Sequence, residues 1–417
     1  MHFRSRILII FLSVIIPTGI LYDNFDEGSE TKQESVKADL RDKVFFSSSE
    51  SHGHIISLLE QQAKGFNNLN GREIDYDYPY YFTHLFYIPI QYSFDTENFT
   101  LIEKLSGIIN YEVLLKVRSN SKLSDMSKRA FYFACSEYLR RIGIKNREQM
   151  KMYNLIKSEV SILWNKSYAN IWSTESKRFF GVKERLAFIL SGKSNGSFSY
   201  YRAVTDFELF LLGTGVSLAI IERNNFGRVS EDAKEMSQYF YDVLLHEVQV
   251  QPDKTWYLQP GVWHDHPTYK DVIIKANGAV NWDSSHFSRM PAYLFLLGIH
   301  FREDNVKSEY IEELKAGLAH QFTKVISHYN PVTNQYHFNN FIDGNNSFFK
   351  SDLEKGIQGV KPSSDFVHVF WSWWKMLQSK EVQKLYQNIG TNYQFYSDNN
   401  LHIHNNREFF SEVINLR

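Results

Sequence analysis

Between residues 99 and 249, apolar side chains recur with a period near 3.6 in one segment after another, which restricts the chain to helices packed on helices. The segments read at about 99–118, 126–142, 147–165, 182–193, 201–224 and 229–249, and they resume at about 284–301, 306–328 and 364–389. In the fifth, Val204, Phe207, Leu211 and Leu218 share one face, while Gly143 and Gly227 stand where helix C-termini belong. An earlier helical pattern runs from Leu40 to about Lys64. Short polar links join most neighbours, so the expected class is all-α, built from antiparallel helix pairs. No repeat at fixed period is present, which counts against an α-solenoid. Polar and aromatic residues concentrated in a few long loops favour an α/α toroid over an irregular bundle.

Three stretches break the helical pattern. Residues 75–89 hold two prolines and seven aromatic rings, a composition that predicts an irregular, aromatic-walled loop. Residues 336–344 fit a short β-hairpin or a second functional loop. The third stretch, 256–291, gathers three tryptophans, three histidines, three aspartates and an arginine. Such groups are costly to hold together unless solvent, a ligand or mutual pairing satisfies them.

The N-terminus carries His2, Arg4 and Arg6 before an apolar run from Ile7 to Leu21, with acidic residues from Asp23. That order matches a secretory signal or an uncleaved N-terminal anchor. The expected organisation is a signal or anchor over 1–22, a polar tether over 23–37 and one catalytic domain over 38–417. Cys135 is the single cysteine, so no intramolecular disulfide forms, and a periplasmic or extracellular bacterial location suits the chain. A net charge of −1 offers no electrostatic footprint for nucleic acid.

The chemistry expected of 256–291 divides in two. Asp283 or Ser284 is a good N-cap for the following helix. On that helix His286, Arg289 and Tyr293 fall at i, i+3 and i+7 and share a face. Upstream, the Pro260–Gly261 turn leads into Trp263, His264, Asp265 and His266. His264 and His266 form a His-x-His pair to which Asp283 or His286 could add metal ligands, but two histidines alone are weak evidence, and no metal or other cofactor is expected. The 16% aromatic content suits a core and also suits sugar-binding clefts, where flat rings meet pyranose faces. Trp256, Trp263, Trp282, Tyr293, Asn339 and Asn340 are the substrate-binding candidates. Asp206, with Glu208 as a further acid, reads first as an i, i+4 partner of Arg202.

In layout, the helical pairs across about 40–390, the loop holding Tyr257 and Trp263–His266, and the segment Trp282-Asp-Ser-Ser-His286-x-x-Arg289 resemble secreted α/α-toroid carbohydrate-active enzymes, polysaccharide lyases in particular. The resemblance implies β-eliminative cleavage of a uronate-containing polysaccharide without a cofactor. It would assign Arg289 to neutralising the uronate carboxylate, and Tyr257, His264, His266 and His286 to proton transfer. A glycoside hydrolase on the same scaffold would use two carboxylates, Asp265 and Asp283 first. A non-catalytic glycan-binding or polysaccharide-export protein would need only the tryptophans.

Overall fold

The chain divides into two units, residues 1–39 and 40–417. The computed structural model describes residues 46, 52–67, 77–171, 178–193, 196–258, 260–262, 266, 282–346, 367–392 and 406–416, all within the second unit. The expected N-terminal signal, the tether and Trp263, His264 and Asp265 lie outside the described residues.

The described chain is predominantly helical, as the periodicity requires. Its helices are α1 (Gly53–Asn67), α2 (Tyr78–Asp95), α3 (Phe99–Ser106), α4 (Tyr111–Ser119), α5 (Asp125–Ile142), α6 (Arg147–Asn165), α7 (Val182–Leu190) and α8 (Ser199–Arg202). There follow α9 (Asp206–Phe226), α10 (Glu231–Glu247), α11 (Ser284–Phe287), α12 (Met290–His300) and α13 (Asn305–His320). A π-helical turn, Gln321–Ile326, extends α13, and α14 (Val367–Phe370), α15 (Lys380–Asn392) and α16 (Arg407–Asn415) complete the set. Two antiparallel hairpins interrupt them: β1 (Val248–Val250) with β2 (Trp256–Leu258), and β3 (Ser327–Asn330) with β4 (Gln335–Phe338). The second hairpin begins earlier than the sequence suggested.

Local chemistry sets the helix ends. The Ser124 side chain accepts from the Ser127 N–H at 3.1 Å, and Asn146 with Gln149 forms a capping box. Gly227 ends α9 in the left-handed region at φ 66°, a conformation that favours glycine. The apolar span Ser199–Phe226 has the length and composition to cross a membrane, but its apolar window is wholly buried in this fold.

The 75–89 stretch departs most from expectation, because the chain from Tyr78 to Asp95 is helical despite Pro79 and Pro89. Pro79 lies in the first turn, where its missing N–H has no partner to lose. Pro89 sits mid-helix and is buried, so packing outweighs the lost hydrogen bond. The aromatic residues expected to wall a loop instead fill the interior: Phe82, Phe86 and Tyr87 are fully buried.

In the core, α2 packs on α5, α5 on α9, α9 on α12, and α12 on the 3₁₀ turn Trp373–Leu377. That turn meets α2 again, since the Trp373 indole stacks 4.3 Å from the Tyr87 ring. The aromatic centre joins Tyr87 to Phe133 at 5.5 Å and Phe133 to Tyr293 at 5.3 Å. A buried polar knot ties three of these helices. Glu137 accepts from Tyr87 and Gln91 of α2, Arg140 of α5 and Ser217 of α9.

Candidate functional site

The N-terminal ends of α2, α9 and α12 meet on one side of the aromatic centre, and the short helix α11 adds its residues there. Asp283 caps α11, accepting from the backbone N–H groups of Ser285 at 3.1 Å and His286 at 2.9 Å. The expected single helix from 284 is broken in two. Pro291 lies in the first turn of α12, so α11 stops at Phe287 and the chain re-enters a helix at Met290. The cap is held in place by the 339–342 segment. Ser284 N–H donates to Asn340 O at 2.7 Å, and Ile342 N–H to Trp282 O at 3.2 Å.

Arg289 points inward from the break, 2% exposed. Its Nε donates to His84 Nε2 at 2.6 Å, Nη1 to the Asp206 carboxylate and Nη2 to the Tyr80 hydroxyl. Guanidinium only donates, so His84 Nε2 and the Tyr80 oxygen are both acceptors here. His84 Nδ1 then donates to the Tyr80 carbonyl, 2.7 Å away, which fixes His84 as the neutral Nδ1–H tautomer. Burial and then the Arg289 charge hold its pKa well below the usual range. The Tyr80 phenol leaves its own hydrogen out of the Arg289 contact. Burial pushes its pKa far up against the opposing pull of Arg289, so it stays protonated.

His286 lies outermost, with 46% of its side chain exposed. Nδ1 donates to Asp283 Oδ2 at 2.7 Å, while Nε2 lies 3.8 Å from Asp206 Oδ2, too far for a hydrogen bond. Burial opposes protonation of this imidazole, but the charges of Asp283 and Asp206 and the Asp283 hydrogen bond outweigh it, so the pKa is raised. For Asp283 the largest influence, burial, acts upward; His286 and the Ser285 hydroxyl overcome it and depress the carboxyl pKa strongly. Nε2 is therefore the exchangeable nitrogen, on an imidazole oriented by one carboxylate and near a second. His368, on the neighbouring α14, is buried and neutral, its pKa lowered to about 3 mainly by burial.

The sequence-derived candidates thus divide. His286, Arg289 and Asp283 come together, but Arg289 is enclosed and fully engaged, so direct contact with a substrate carboxylate is not available to it. Asp206 joins them through Arg289, where the sequence suggested Arg202. Tyr293 lies wholly in the core beneath. Trp256 is also core: its indole donates to Leu314 O at 2.8 Å and it packs on Phe287. Trp282 is half-buried beside Phe287. Asn339 and Asn340 brace the loop, Asn339 by donating to Val325 O at 2.7 Å and Asn340 through Ser284. Tyr257 sits on β2 opposite Gln249, and His266 lies against the Tyr200 ring at 5.1 Å. Cys135 is buried on α5, and burial raises its thiol pKa well above the ordinary value.

Tyr80 and His84 did not emerge from the sequence because 75–89 read as a loop. Asp77 followed by Pro79, with Tyr80 and His84 four apart, was the signal available for a helix start carrying both on one face. Among the described residues no group of three or more His, Cys, Asp or Glu is placed to hold a metal ion. No protein-family model, curated protein or solved structure matches the chain.

Proposed function

We propose that the protein is an exported polysaccharide lyase that cleaves a uronate-containing chain by β-elimination, with His286 as base and Tyr80 as acid. The observation that carries the reading is the pairing of an exposed, carboxylate-oriented imidazole with a protonated phenol, linked through Arg289 and Asp206. Nε2 of neutral His286 accepts the C5 proton, the C4–O bond breaks as the C4–C5 double bond forms, and the Tyr80 hydrogen passes to the leaving oxygen. The raised pKa of His286 makes it a stronger base once neutral, and Tyr80 holds the proton that the leaving oxygen needs. Arg289 organises Tyr80 and Asp206 from behind. Convergent helix N-termini add the positive ends of their dipoles on the side where an acidic substrate approaches.

The cyclic succession α2, α5, α9, α12 and the 373–377 turn supports an α/α toroid, with these elements as its inner layer. A glycoside hydrolase is less well supported. It requires a carboxylic acid that keeps its proton, whereas Asp283 is strongly acidified and Asp206 is ion-paired to Arg289. Export rests on residues 1–22, and N-terminal sequencing of protein recovered outside the cytoplasm tests it.

Incubation with a panel of acidic polysaccharides should generate the ultraviolet absorbance of an unsaturated uronate. Removal of one acid–base group is worth about 10²–10⁴ in rate, so His286→Ala and Tyr80→Phe should each lose that much. New reducing ends without the absorbance would instead indicate a hydrolase. Binding that yields no product and is unaltered in His286→Ala would indicate a glycan-binding protein.

A further inference from the structure

We propose that Lys375 locks helix α16 to the turn behind the site and thereby positions the His84–Arg289 wall. Its Nζ donates to three backbone carbonyls at the end of α16: Val413 at 3.1 Å, Ile414 at 2.7 Å and Leu416 at 2.7 Å. Those carbonyls fall in the last turn and beyond, where a helix supplies no N–H partners of its own. An ammonium has three donors, and all three are used. The Tyr386 ring of α15 faces the same nitrogen at 5.2 Å. The side chain is buried, so these bonds are shielded from water.

Lys375 lies on the turn that backs the site. The Trp373 indole N–H donates to His84 O at 2.9 Å, and the Trp371 ring lies 4.4 Å from the His84 imidazole. The turn is bounded by two non-glycine residues in the left-handed region, Ser372 at φ 63° and Gln378 at φ 57°. Such conformations persist only where the surroundings over-determine them. Lys375, midway between the two, supplies that constraint from one side, and the tryptophans transmit it to His84 on the other. Lys375 is thus a positioning residue that acts on Arg289 through His84.

The inference rests on the proposed site only in taking the Arg289 cluster as the working centre, and its test needs no substrate. The intact protein and Lys375→Met, which keeps the stem and removes the donors, are compared by two measurements. One is hydrogen exchange across 407–416, and the other is the titration of His286 by NMR. The groups around His286 are Asp283 on the loop leading into α11, Asp206 on α9, Arg289 at the helix break, His84 on α2 and His368 on α14. Arg289 opposes protonation of His286, so a loosened Arg289 should shift the His286 midpoint upward while exchange in 407–416 accelerates. Val413→Ala, which weakens α16 packing but leaves the three carbonyls, should speed exchange without moving the midpoint. If Lys375→Met does not fold, Lys375→Gln with two amide donors should give the same pair of changes in smaller measure. Faster exchange with an unmoved His286 midpoint in the Lys375 variant would overturn the proposal, as would no change in either reading. Absence of lyase activity would bear on the proposed function alone.

Discussion

At the scale of single residues, the site turns on how Asp283 divides its bonds. One carboxylate oxygen caps α11 and the other orients His286. Asparagine is an equally good cap, so Asp283→Asn separates the two roles. The helix should survive, while loss of the negative charge lowers the His286 pKa. If His286 is the base as proposed, it works only when neutral, so the acidic limb of the rate profile should lie above the ordinary imidazole value in the native protein and move to lower pH in Asp283→Asn. A kcat/KM–pH profile checks both. Arg289 raises a different expectation. Removing one member of a buried ion pair typically costs about 3–5 kcal/mol, because the partner charge remains buried. Arg289→Met should therefore lower stability on that scale in chemical denaturation, with Asp206 left unpaired.

At the scale of elements, the close approach of α9 and α12 depends on a missing side chain. A Cβ at Gly213 would come within 2.8 Å of the Tyr293 ring, and both sit in the aromatic centre. Gly213→Ala gains helix propensity but overpacks this contact. Overpacking costs about 1–3 kcal/mol and should win over the ~1 kcal/mol of propensity, so thermal denaturation should show a lower Tm. The same position illustrates what the sequence conveyed. The helical period located α5, α6, α9, α10 and α13 closely. Which helix Gly213 admits was not legible, since that depends on Tyr293, 80 positions away. The helix α2 was missed for a related reason: two prolines outweighed the period locally, and only burial among distant aromatics resolves the conflict. The 364–389 pattern likewise divides, at the left-handed Ser372 and Gln378, because the Lys375 and Trp373 contacts that hold this turn are tertiary.

At the scale of the whole molecule, buried neutral histidines set the response to acid. His84 and His368 are enclosed, with pKa values held well below the ordinary imidazole and at about 3, chiefly by burial. The unfolded chain takes up protons at these positions near pH 6.5, whereas the folded one does not. Stability should therefore fall as pH drops below about 6.5, by about 1.4 kcal/mol per pH unit for each histidine. His286, with its raised pKa, is protonated in both states below that pH and adds no slope there. Loss of the Asp283 contribution begins only near pH 4. Denaturant titrations at a series of pH values should show the decline beginning above the carboxylate range, and a flat profile from pH 6.5 to 5 would contradict it. Asp283, His286 and Arg289 lie close because they are near neighbours in sequence, but the helical face expected to join His286, Arg289 and Tyr293 is broken before Met290, and Tyr293 enters the core. The partners of His286 and Arg289 on α2 and α9 were not readable, because nothing local in a sequence records which helix N-termini meet.

The Arg289–His84 bond spans 205 positions and the Trp373–His84 bond spans 289. During synthesis, α2 leaves the ribosome early and must hold Tyr80 and His84 without their partners until most of the chain has emerged. A nascent chain ending before Arg289 contains many of the helices and none of the completed site. The Arg289 cluster is therefore closed only by contacts between segments far apart in the order of synthesis.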